Sequence, residues 1–142
     1  MNEGLFALYD LAEREDIVID EYPMKRHVSF SIMDMDGDCY IAIDPFKLES
    51  AQQEKIVLAH ELGHCMTGSF YNVYSPFDIR KRHENRADKW SIMQLVPEDE
   101  LNEAVSAGFT EVWHLAEYFD VPEDYMAMAC HWYKNHNMDF KM

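Results

Sequence analysis

Basic residues are scarce: 12 Lys and Arg stand against 27 Asp and Glu, a formal charge of −15. Nucleic-acid affinity is dominated by cationic contacts to phosphate, so this surface argues against direct DNA or RNA binding. It suits solubility or a basic partner. Cysteine is also sparse. Cys39, Cys65 and Cys130 are odd in number and far apart, which predicts neither a disulfide framework nor a CxxC metal pair. That usage fits a reducing, cytoplasmic compartment. No apolar run approaches the roughly 18 residues of a membrane span. The opening MNEGLFALYDLAERED has early acids and no basic n-region, unlike a secretory leader.

What is present suffices for a core. The chain has 142 residues, 48% of them hydrophobic and 13% aromatic, a size that suits one domain spanning 1–142. Leu5, Leu8 and Leu11 recur at helical spacing, predicting an amphipathic helix over 4–14. Ile17-Val18-Ile19 reads as a strand ending near Pro23. Residues 28–33 alternate apolar and polar, as do 39–43, and the turn chemistry of 34–38 joins them as a hairpin. Ser50 or Asp44 can cap a helix that continues to Gly68. Residues 69–78 read as an aromatic loop. A second helix covers about 80–96 before Pro97, and short helices follow over 98–107, 110–119 and 122–136. The expectation is an α+β domain: strand-rich over about 15–45, two site-bearing helices over 48–97, and a helical C-terminal part over 98–137.

The chemistry concentrates at His60-Glu61-Leu62-Gly63-His64. Two histidines at i and i+4 share a helix face one turn apart, so both imidazoles reach one metal ion. Glu61 is rotated out of that pair. It can still touch a metal-bound water, where a general base belongs. Catalytic zinc keeps three protein ligands and one open position. Glu84 and Asp88, again i and i+4, sit on the second helix. Glu84 can complete the coordination, while Asp88 can accept the N–H of a ligand histidine, His60 by preference, and so fix its tautomer. Tyr71, Tyr74 and His131 are candidate donors to a developing oxyanion. Each reads more readily as a packing aromatic or core histidine, and that role stays unassigned.

These residues resemble the ImmA/IrrE metallopeptidases. The likeness rests on HELGH at 60–64 and on Glu84-x-x-Ala87-Asp88-x-Trp90 followed by Leu95-Val96-Pro97. It continues through Gly108-Phe109-Thr110-Glu111 and LAEYFDVPEDYM at 115–126, covering about 50–135. Ser91 stands where alanine is expected. The resemblance implies a zincin-like fold of the gluzincin type, with Zn2+ at His60, His64 and Glu84. It also implies cleavage of a helix-turn-helix repressor of a prophage or mobile element. The alternative is a zinc-binding module that antagonises a repressor without cutting it, though such a module has no need of Glu61. Zincins commonly lay substrate along an edge strand, and 39–43 is the candidate.

Three other signals are set aside. Asp34-x-Asp36-Gly37-Asp38 places its glycine too early for a calcium loop and reads as a turn. Residues 112–133 have a helix-turn-helix rhythm, yet between Thr110 and His136 five acids (Glu111, Glu117, Asp120, Glu123 and Asp124) stand against Lys134 alone, which disfavours phosphate contact. Arg80-Lys81-Arg82 with Arg86 and Lys89 reads as a solvated helix start, or as a grip on acidic substrate residues.

Overall fold

The computed structural model describes residues 3–70 and 74–136. Its elements, in chain order, are α1 (Glu3–Arg14), β1 (Val18–Glu21), β2 (Ser29–Met33), β3 (Cys39–Ile43), a 3-10 turn at Pro45–Lys47, and α2 (Ala51–Thr67). There follow α3 (Phe77–Leu95), α4 (Glu98–Ser106), α5 (Val112–Phe119) and α6 (Glu123–His136). A small sheet followed by a mostly helical chain is the expected α+β class. Helix α3 starts three residues earlier than the pattern suggested, because Pro76 serves as a helix opener: its carbonyl accepts from the N–H of Ile79 and Arg80. The chain divides into two compact units, Met1–Ser91 and Ile92–Met142.

In the first unit the sheet order is β1-β3-β2. β3 pairs antiparallel with β2 (Phe30 opposite Ala42) and parallel with β1 (Ile19 opposite Ile41). The hairpin is therefore as expected, but the edge assignment needs correction: residues 39–43 form the central strand, with partners on both sides. Burial explains the choice. Cys39, Ile41 and Ile43 are all buried, and the most apolar strand gains most from the middle of a sheet. Among the described residues β2 and β1 are the edges.

Helix α2 packs against β2, β3 and α1, burying Leu58, Ala59 and Leu62 completely. Each such leucine contributes about 1.5–3 kcal/mol relative to exposure. Its ends are defined as the sequence suggests. The Ser50 side chain accepts from the Gln53 N–H, and Gly68 closes the helix at φ +65°, a conformation glycine adopts without penalty. Asp44 caps the 3-10 turn instead, accepting from Phe46 N–H at 3.0 Å and from Met24 N–H at 2.9 Å.

A second correction concerns the cysteines. Cys39 and Cys65 form a disulfide, with Cα atoms 5.9 Å apart, within the range such a bridge requires. It joins the start of β3 to α2. Cys130 is free and buried.

The second unit buries Leu101, Leu115, Met126 and Ala129, with α5 packed on α6. Tyr133 is buried there, and its hydroxyl donates to the Val96 carbonyl at 2.7 Å. Burial, with Glu98 and Asp99 nearby, pushes its pKa up to about 12. No described helix is long and apolar enough to cross a membrane.

Candidate active site

His60 and His64 stand one turn apart on α2 because the helix runs unbroken through both, and the C-terminal cap then holds the second ring. The N–H of Ser69 donates to the His64 carbonyl at 3.1 Å, while His64 Nδ1 donates back to the Ser69 carbonyl. Ser69 is fully buried, so this loop residue is a fixed brace for the imidazole. His60 is braced from the other helix: its Nδ1 lies 2.9 Å from Asp88 Oδ1.

With both Nδ1 atoms occupied as donors, both Nε2 atoms carry lone pairs when the rings are neutral, and the two lie 3.2 Å apart. Glu84 joins them from α3, its two oxygens 2.8 Å from His60 Nε2 and 3.1 Å from His64 Nε2. Three acceptors this close repel unless positive charge lies among them. Protons can supply it. Burial lowers the His60 pKa, but hydrogen bonds and charge from Asp88 and Glu84 outweigh it and raise the ring to about 10. His64 moves up too, burial again opposing and Glu84 with the Ser69 carbonyl prevailing.

A cation can equally supply the charge, and the spacing fits one. The ligand atoms of His60, His64 and Glu84 lie within 4.8 Å of one another. Bonds of about 2.0–2.1 Å in a tetrahedron imply ligand separations of roughly 3.3 Å, close to the distances found here. The three residues can therefore hold a metal ion.

The carboxylate of Glu61 meets the sheet. It is buried, 6% exposed, and accepts from Ser29 Oγ at 2.6 Å and Ser31 Oγ at 2.8 Å. A cavity of about 360 Å³ is lined by His60, Glu61, His64 and Glu84, by Ser29, Phe30 and Ser31 of β2, and by His27, Ser69 and Phe70. Edge strand, metal-capable cluster and carboxylate thus share one opening.

Of the residues singled out in the sequence, His60, Glu61, His64, Glu84 and Asp88 converge here. Tyr74 lies in the turn before α3 and is 91% exposed. His131 belongs to the second unit, where its Nε2 meets Asn135 Nδ2 at 2.9 Å. Tyr71 falls outside the described residues. The sequence reading passed over Ser29, Ser31 and His27. The only signal for the serines was a pair of small polar residues at i and i+2, on what must be one face of a strand. The acidic trio Asp34, Asp36 and Asp38 is exposed, and Asp34 Oδ1 is engaged by the N–H groups of Asp36 and Asp38 at 2.9 Å each, a turn as expected.

A profile of the peptidase family described as IrrE N-terminal-like domain matches residues 39–131. No curated protein matches the chain.

Proposed function

The chain belongs to the IrrE N-terminal-like peptidase family, and from that premise we propose that it is a zinc-dependent endopeptidase. The observation that carries the reading is the convergence of two Nε2 atoms and one carboxylate beside a second, separately held carboxylate in the same cavity. A nitrogen-rich set of two imidazoles and one carboxylate suits zinc among the divalent ions.

His60, His64 and Glu84 would hold the ion, with Asp88 and the Ser69 carbonyl orienting the two rings. When bound, zinc lowers the pKa of its water to near 7 and polarises a scissile carbonyl. Glu61 receives the proton of the attacking water and returns it to the leaving amine. The extended substrate adds to the free side of β2, whose residues 29–31 line the cavity, by main-chain pairing. Use of β2 replaces the role first expected of residues 39–43.

The substrate we propose is a helix-turn-helix repressor of a prophage or mobile element. A basic DNA-binding protein complements the −15 chain. The alternative, a zinc-holding module that inactivates a repressor by contact alone, leaves Glu61 without a task. The two separate in one experiment: incubating a candidate repressor with wild type, with Glu61→Gln and with a chelator. Cleavage by wild type only, with Glu61→Gln still holding its metal, is the expected result. Equal cleavage by Glu61→Gln would remove the general-base role. A repressor silenced but uncut by both proteins would favour the contact module.

A further inference from the structure

Glu61 faces a problem common to buried bases. A carboxylate taken from water needs compensation. Here the compensation is neutral. Ser29 and Ser31 stand two apart on β2, so their side chains leave the same face of the strand, and each spends its single hydroxyl proton on a different oxygen of Glu61, at 2.6 and 2.8 Å. The terminal torsion of a glutamate is otherwise broad. Two donors on two oxygens set the plane of the carboxylate as well as its position.

The strand shows signs of having been given over to this task. Serine is a weak strand former compared with valine, isoleucine or threonine. Yet serines occupy the half-buried positions of β2, while Phe30 and Ile32 on the opposite face are 40% and 52% exposed. Packing alone would favour the reverse arrangement.

We propose that Ser29 and Ser31 are positioning residues of the hydrolytic reaction, a pair of hydroxyl clamps that fix the general base Glu61 on the strand that receives the substrate. The inference rests on the peptidase reading. Because clamp and substrate share β2, the base is registered to the substrate main chain directly, rather than through the length of α2.

The test uses the full metal-loaded chain with Ser29→Ala, Ser31→Ala, the double alanine variant and the two threonine variants. With a repressor that wild type cleaves, each alanine should lower kcat about five- to tenfold and the pair about 100-fold, inside the range a general base contributes. KM, bound metal and unfolding midpoint should stay near wild type. Threonine keeps the hydroxyl in a strand-compatible side chain and should restore kcat to within about threefold. Independently of turnover, the side-chain carboxyl 13C resonance of Glu61, assigned with Glu61→Gln, should move in each alanine variant and return in the threonine variants. A double alanine variant with wild-type kcat overturns the proposal, as does a resonance that does not move. A wild-type chain that cleaves no repressor while the resonance responds would overturn the peptidase reading and reduce the serines to a structural contact.

Discussion

Gly63 and Ala87 bring α2 and α3 together backbone against backbone. A Cβ built on Gly63 would lie 2.6 Å from the Ala87 carbonyl oxygen and 2.9 Å from its Cα, and Ala87 is itself fully buried. The contact sits beside His64 on one helix and between Glu84 and Asp88 on the other, so it sets how near the ligand atoms come. Neither backbone can yield as a flexible side chain would. Gly63→Ala should therefore part the helices, destabilising the chain by about 1–3 kcal/mol through overpacking and weakening metal binding at least tenfold. Denaturant unfolding and competition with a chromophoric chelator measure the two effects. Wild-type affinity in this variant would mean that the helix spacing does not control the site.

Asp88 touches no proposed metal atom, but it orients His60 across 2.9 Å. Its removal should leave the fold intact and weaken zinc binding about 10–100-fold. Chelator titration of Asp88→Ala reads this directly, and an unchanged dissociation constant would dismiss the orienting role.

The metal-free site is predicted to be a proton store. With its pKa raised to about 10, His60 carries a proton at neutral pH that zinc must expel. Apparent affinity should rise with pH through the interval from 6.5 to about 10. Calorimetry in buffers of different ionisation heats at pH 7.5 should find protons released on metal binding, His60 supplying at least one. The sign for stability runs oppositely. A raised histidine pKa stabilises the metal-free chain below pH 6.5, and this contribution fades as pH climbs toward 10. Zinc uptake without proton release would contradict the hydrogen bonds that His60 donates to Asp88 and Glu84.

The Cys39–Cys65 bridge closes a loop with a sequence separation of 26. Bridges of this kind contribute about 2–4 kcal/mol. Reduction should lower the unfolding midpoint accordingly, and Cys39→Ser should match the reduced wild type. Thiol titration of the unreduced, denatured chain should find Cys130 alone. Three reactive thiols under those conditions would exclude the bridge.

Local regularities were the legible part of this molecule. His60 with His64, and Glu84 with Asp88, are each a single-turn relationship that helix geometry alone dictates, and Ser50 and Gly68 mark the ends of α2 through their own backbone chemistry. Non-local pairing was not legible. Alternation in 28–33 announced a strand but not that its serine side would be the one turned toward α2, because the usual assignment of polar residues to solvent fails where a buried carboxylate needs donors. The order β1-β3-β2 depends on a parallel return that no turn residue encodes, so the central strand passed for an edge. Cys39 and Cys65 become neighbours only once the hairpin docks on the helix.

That strand order has a further consequence for any target. Among the described residues β2 pairs on one side only, so its other side offers a template for stretched-out polypeptide. A helix cannot lie down on such a template without first coming apart. On the proposed reading, a repressor made of compact helices would be severed in the tether between its parts, or at a place already loosened by something else. The timing of the cut would then be decided by the state of the victim as much as by the blade.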